Sequence, residues 1–218
     1  MAINLAGGVT GSKNEVETGT LAQRSTLRPV DVITGAGGSY SISVKSGIMA
    51  AGLAGAAPIL AFQFPGTGLA LVRRIRFIAQ GLGTGFAAGA TVFDAFVARA
   101  FTVQDTGGGA ATLTTNNAKL RTSFATTQAK IQLSATATLT AGTRTLDANP
   151  LRTLMGDLGT GTFAAVQGDD TLFDTKPGEW PLVLATNEGF VLQATVPATG
   201  TWTWAAMIDW DEIGALTF

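Results

Sequence analysis

Residues Phe190 to Trp210 read FVLQATVPATGTWTWAAMIDW, and their alternation decides the class of fold. Phe190, Leu192, Ala194 and Val196 fall on one side of an extended chain. After Pro197 to Gly200 (PATG), Trp202, Trp204, Ala206, Ile208 and Trp210 again share one side. Successive side chains of a strand point to opposite faces, so this period of two marks two half-buried strands. PATG carries turn residues, and the two strands are predicted to form a β-hairpin. A same-face row of tryptophans either stacks sugar rings on a surface or fills a core or subunit interface. Each indole can bury roughly 150–250 Å², which favours the interior.

The same period runs upstream. Tyr40, Ile42 and Val44 alternate with serines, and Ile59 to Phe64 is an apolar run stopped by Pro65-Gly66. Leu69, Leu71, Ile75 and Phe77 are expected on one face with Arg73, and Arg74 and Arg76 on the other. Arginines so placed belong to a sheet rim or a subunit contact. Val92 to Phe101 puts Phe93, Ala95, Val97 and Phe101 on one face and Asp94 and Phe96 on the other, which implies burial on both sides. One segment reads as a helix. Asn149 can cap, Pro150 suits the first helical position, and Leu151, Leu154, Met155 and Leu158 follow a helical spacing before Gly159. Gly156 weakens it by roughly 1 kcal/mol relative to alanine, so a short helix over about 150–158 is expected.

These elements predict an all-β protein, a two-sheet jelly-roll-like sandwich over residues 38–218 with one short helix. Residues 1–37 show no sustained period and contain Arg28-Pro29, where proline favours an extended predecessor, so they are read as an extended N-terminal arm, either loose or laid on a neighbouring subunit. Lys45, Lys130 and Arg99 are candidates for guarding sheet edges.

Composition limits the chemistry. The 218 residues include no histidine and no cysteine, so a Ser–His or Cys–His nucleophile cannot be assembled and no disulfide can close a loop. Asp209, Asp211 and Glu212, with Asp169 and Asp170, are hard oxygen ligands of the type that bind Ca²⁺, but calcium-loop spacing is missing. Along a strand Asp209 and Asp211 lie opposite the tryptophans, where a solvated exterior accounts for them. Used as a glycosidase pair they would need a sugar cleft and one raised pKa, neither of which is readable in the sequence. The loop Gln104 to Thr115 (QDTGGGAATLTT) lacks the lysine and following helix of a phosphate-binding loop. No catalytic, cofactor-binding or metal-binding residue is therefore assigned, no cofactor is expected, and the chain is read as a non-enzyme.

Charge and hydropathy narrow the partners. Fourteen basic and fifteen acidic residues give a net charge of −1, and charged residues make up only 13% of the chain. Arg73, Arg74 and Arg76 are not interleaved with aromatics, so no nucleic acid partner is expected. The start, MAINLAGGVTGSKNEVETGT, lacks the basic and apolar regions of an export signal. The longest apolar run, Ile48 to Phe62, is interrupted by Gly52, Gly55 and Pro58 and falls short of the roughly 18–20 residues of a membrane span. It reads as buried strand ends, and no membrane partner is expected.

The succession LRPVDV, SGIMAAGLAGAAPILAFQF, VRRIRF, FDAFVARAFT, NNAKLRTS, TAGTRTLDANPL and PGEWPLVLATNEGFVLQATVPATGTWTWAAMIDW, over residues 27–213, resembles virion structural proteins of tailed bacteriophages. The resemblance implies a homo-oligomeric β-sandwich in the virion, assembled in the host cytoplasm, with itself and the major capsid protein or another virion protein as partners. A head decoration, or cement, protein is the first expectation. A tail-associated or receptor-binding module is the alternative, for which the PGEW turn at Pro177 to Trp180 has the right aromatic and polar character. A carbohydrate-binding module using Trp180 and tryptophans of the last strand would require those tryptophans to be exposed.

Overall fold

The computed structural model describes residues 37–50, 52–53, 55–82, 85–113, 117–156, 171–176 and 179–214, together with three short strands between residues 5 and 24. Residues 1–31 form one unit, in which β1 (Leu5–Ala6), β2 (Lys13–Val16) and β3 (Gln23–Arg24) pair antiparallel. The remainder of the arm expected over residues 1–37 lies outside the described residues up to Gly37, where the sandwich begins.

The second unit contains β4 (Gly37–Lys45), β5 (Met49–Ala50), β6 (Ala57–Phe64), β7 (Leu69–Gly81), β8 (Thr91–Val103), β9 (Gly109–Ala110), β10 (Lys130–Leu133) and β11 (Thr143–Leu146). These are followed by β12 (Arg152–Gly156), β13 (Thr171–Asp174), β14 (Leu182–Leu184), β15 (Glu188–Thr195) and β16 (Thr201–Ile213). One sheet runs β13-β7-β16-β4, with β14 extending the β13 side and β5 pairing β16. The other runs β11-β8-β15-β6-β10-β9, with β12 extending the β11 side.

When β11 with β12 and β13 with β14 are each counted as one interrupted strand, both sheets have jelly-roll connectivity. In chain order the principal strands β4, β6, β7, β8, β11/β12, β13/β14, β15 and β16 are first to eighth. One sheet is then ordered first, eighth, third, sixth, and the other second, seventh, fourth, fifth.

The expected hairpin is corrected by this topology. β15 lies between β6 and β8, whereas β16 lies between β7 and β4, so PATG carries the chain from one sheet to the other. A crossover keeps the same inward row on both strands as a hairpin does, so alternation alone does not separate them. Thr199 and Gly200 both take left-handed conformations (φ 63° and 85°). The link is held by Gly52 N–H donating to the Pro197 carbonyl (3.0 Å) and Ala87 N–H donating to that of Ala198 (3.0 Å).

The expected helix is a strand. Arg152 to Gly156 pair with Ala95 to Thr91 of β8, and no described residue is helical. β11 ends its pairing with β8 at Ala98, leaving backbone donors and acceptors that β12 satisfies. Leu154 packs on the core while Met155, its neighbour on the expected helical face, is 68% exposed.

Two irregularities reverse faces that simple alternation assigns. Asp209 pairs with Arg74 and Trp210 with Val72, so Arg73 is an extra residue in β7. Ala70 and Val72 therefore join Ile75 and Phe77 in the core, and Leu69 and Leu71 turn outward, opposite to expectation. In β8, Ala100 is left-handed (φ 47°), which moves Phe101 away from Val97 and onto the outer face with Ala98.

Between the sheets the core is aromatic. Phe62 of β6 meets Trp210 of β16 edge-on at 5.5 Å, Phe93 of β8 meets Trp202 at 5.7 Å, and Phe77 of β7 lies 4.7 Å from Phe93. Such contacts lock one sheet to the other.

Candidate interaction surfaces

Trp202, Trp204 and Trp210 are at most 1% exposed, and each indole N–H has a partner: the Ala50 carbonyl, Ser134 Oγ and Glu212 Oε1. The row is core, and it offers no platform for a sugar. Trp180 is 73% exposed; Pro177 and Gly178 of its PGEW turn lie outside the described residues.

The acidic cluster divides between inside and outside. Asp209 and Asp211 face outward from β16, as alternation predicts. Glu212 faces inward at 2% exposure, where it accepts hydrogen bonds from Gln128 N–H (3.0 Å), Ala129 N–H (3.3 Å), Trp210 Nε1–H (3.1 Å) and the Thr127 hydroxyl. Its carboxylate anchors residues 127–129, a role that sequence reasoning missed because no local pattern marks it. Upstream in the same segment, Ser41 N–H donates to the Ala118 carbonyl (2.8 Å) and Leu120 N–H to that of Ser39 (3.0 Å). The segment thereby covers the first half of the β4 edge. Tyr40 donates its hydroxyl proton to the Ala125 carbonyl at 2.9 Å. Burial, and secondarily the nearby Glu212, pushes the Tyr40 pKa well above its ordinary value. Asp169 and Asp170 lie outside the described residues, and among the described residues no three acidic groups are placed to share a cation.

The exteriors of the two sheets differ. On the β8-β15-β6 sheet, Ala61, Val191, Ala98 and Phe101 form a second apolar cluster, covered by Leu139 and flanked by Leu146. The covering segment hangs on backbone bonds, Ser134 N–H to the Ile59 carbonyl and Leu139 N–H to that of Pro58, both 2.8 Å. It is stapled by an ion pair between Arg144 and Asp105, whose side chains are 4% and 0% exposed. The Arg144 guanidinium also lies 5.3 Å from the Phe101 ring centroid, and Asp105 accepts from Gly142 N–H at 2.9 Å. Burial lowers the Arg144 pKa.

The expected guard residues have different roles. Arg99 sits on the internal strand β8, not at an edge, and its guanidinium reaches Glu188 (2.7 Å) and Asp147 (3.3 Å). Lys45 ends the edge strand β4, and Lys130 opens β10 beside a cleft of about 290 Å³ lined by Gln104, Leu113, Thr126 and Ile131 among others. The glycine-rich loop turns back through Gly107 and Gly108 (φ 79° and 61°) into β9; a Cβ on Gly108 would meet the Leu133 carbonyl oxygen at 2.1 Å.

On the β7-β16-β4 sheet the exterior carries charged pairs, and among the described residues no segment covers it. The Arg73 Nε lies 3.0 Å from Asp211 Oδ2, and Ser39 donates to Asp211 from the other side. The Arg74 Nε lies 3.0 Å from Asp174 Oδ1, and its Nη1 is 4.0 Å from Asp209. Arg73 and Arg74 keep 43% and 42% of their side-chain surface in solvent. Ile78, on the same face, is 47% exposed. Opposite charges alternate across the strands, so the arginines form no uniform basic stripe.

No family model matches the chain, and no curated protein does. Among solved structures, that of infectious bursal disease virus Gx strain aligns with 97% of this chain and 49% of that chain, at 12% identity and a TM-score of 0.15. The chain spans about half the length of that neighbour, and the likeness is too slight to support any inference about fold or role.

Proposed function

We propose that this chain is a non-enzymatic structural protein of a tailed-bacteriophage virion, a head decoration protein that binds the assembled shell and stiffens it. The observation that carries the reading is the combination of jelly-roll connectivity with an exterior suited to adhesion. The two strand orders are those of a fold recurrent in capsid and lectin domains. Because fold alone does not fix function, the surface has to discriminate. Ile48, Ile78, Val103, Leu120, Met155 and Trp180 are all at least 47% exposed, on a chain with little net charge. Scattered apolar contacts of this kind, repeated by symmetry, bind a shell by avidity without one strong site. The proposed partners are further copies of the chain and the major capsid protein, in particles assembled in the host cytoplasm.

Particles lacking the protein test the role. Under this proposal they assemble and adsorb to host cells normally, but release their contents at a lower temperature or under milder osmotic shock. Loss of adsorption with unchanged particle stability would overturn it in favour of a tail module. That alternative has one observation of its own, the exposed Trp180, and calls for glycan binding that disappears in Trp180→Ala.

A further inference from the structure

Two copies of a sheet can pack face to face only if their outward side chains complement one another, and the register of β7 and β16 supplies that complementarity. Arg74 on β7 is directly paired with Asp209 on β16, both side chains pointing outward. The bulged Arg73 reaches Asp211, the next outward residue of β16, through its side chain at 3.0 Å. Arg73 and Arg74 therefore each lie beside an aspartate of the adjacent strand, while Arg76 is paired with Met207.

A two-fold axis parallel to the strands, above the seam between β7 and β16, exchanges these two strands while preserving height along them. It lays β7 of one copy over β16 of the other. Arg74 of each copy then faces Asp209 of its mate, and Arg73 faces Asp211, so two pairs within each subunit become a network shared by both.

We infer that the exterior of the β7-β16 sheet is an isologous contact between two copies of this chain, oriented by Arg73, Arg74, Asp209 and Asp211. The inference deepens the homo-oligomer part of the proposed function, on which it rests, by naming the surface used.

Size and composition fit such a contact. β7 and β16 have 13 residues each and β4 has nine, and with the short strands β5, β13 and β14 the sheet covers about 700 Å², taking about 3.3 Å per residue and about 4.8 Å between strands. A stable complex buries about 600–1,000 Å² per partner. Ile78, the half-buried Leu71 and Met207 lie around the charged rows and would be withdrawn from water. The two charged rows contribute orientation, because an end-for-end reversal lays arginines over arginines and aspartates over aspartates. The opposite sheet cannot serve in this way, since its outer face is already covered by Leu139 and the segment around it.

Sedimentation of the purified full-length chain tests the inference apart from any virion role. The wild type is expected to be a dimer. Arg73→Glu with Arg74→Glu makes the face acidic, and Asp209→Lys with Asp211→Lys makes it basic. Each double variant should raise the dimer dissociation constant by more than about tenfold. An equimolar mixture of the two should form the heterodimer again.

A wild-type monomer, or variants that dimerise as the wild type does, would overturn the inference. So would a mixture of folded variants that stays monomeric, with folding checked by the near-ultraviolet circular dichroism of the core tryptophans. If a charge reversal does not fold, crosslinking decides. In this cysteine-free chain Met207→Cys places the two substituted Cα atoms about 11 Å apart across the axis, with the thiols within reach of a short bismaleimide. Thr140→Cys, on the covering segment of the other sheet, should not crosslink. Equal yields at both positions, or none at Met207→Cys, would overturn the inference. Dimerisation through this face would stand even if the protein were absent from phage heads, so the two failures are distinguishable.

Discussion

The two sheets of this sandwich share one core but end differently at their outer faces. Behind β8, β15 and β6, outward Ala61, Val191, Ala98 and Phe101 are apolar, and the chain covers them itself with a segment stapled by Asp105 and Arg144. Outside β7, β16 and β4, the outward serines, aspartates and arginines lie among Leu71, Ile78 and Met207, and the charged pairs remain partly in solvent. Outward polarity thus separates the face that a described segment covers from the one that no described segment covers. An ion pair on the sealed side has given up its water, so its loss should be costly. A pair on the unsealed side has not, and the same deletion should cost little.

The largest effect is expected in the core that both sheets share. Trp204→Ala should lower stability by about 3–5 kcal/mol in urea unfolding, through lost burial and the cavity left behind. A change below about 1 kcal/mol would mean that the aromatic row does not join the sheets.

Next comes the sealed face. Arg144→Ala strands a buried Asp105 and should cost about 3 kcal/mol or more, and replacing both by apolar residues, Asp105→Leu with Arg144→Met, should recover most of it. If the double replacement is no better than the single, the two residues act separately.

Tyr40 tests the edge of the unsealed sheet. Tyr40→Phe removes one hydrogen bond to the Ala125 carbonyl and should cost about 1 kcal/mol. As the single tyrosine of the chain, Tyr40 also allows a clean ultraviolet titration. Its folded pKa lies above its unfolded value, so the associated stability is intact below about pH 10 and declines as pH rises beyond it. Phenolate absorbance should stay low in the folded protein at a pH where the urea-unfolded chain has ionised. Equal titration in both states would contradict the buried placement.

The smallest effect is expected on the open face, where breaking Arg74–Asp174 by alanine at either position should change stability by less than about 1 kcal/mol. A loss comparable to that of Arg144→Ala would erase the contrast between the faces.

Much of the sandwich could be read from spacing. Tyr40, Ile42 and Val44, the row from Phe190 to Val196, and the row from Trp202 to Trp210 all point inward as alternation requires. Alternation specifies which side of a strand is wet, but not which neighbour it pairs with, and so a crossover at PATG was indistinguishable from a hairpin. It also fails wherever one residue is added. Arg73 in β7 and left-handed Ala100 in β8 each shift the period by one, which turned Leu71 outward and moved Phe101 to the second cluster. Leu151, Leu154 and Met155 fit a helical spacing, yet unpaired backbone on β8 drew that segment into the sheet. The charged rows of the candidate contact surface were visible as residues. Their pairing was not, because it depends on the bulge that brings Arg73 and Arg74 to the same face.

Electron microscopy of intact particles carrying an antibody fragment against this chain tests the account most directly. If the protein is a decoration subunit, label is expected in a regular array over the outer head surface. Label confined to the tail, or absent from particles altogether, would contradict it.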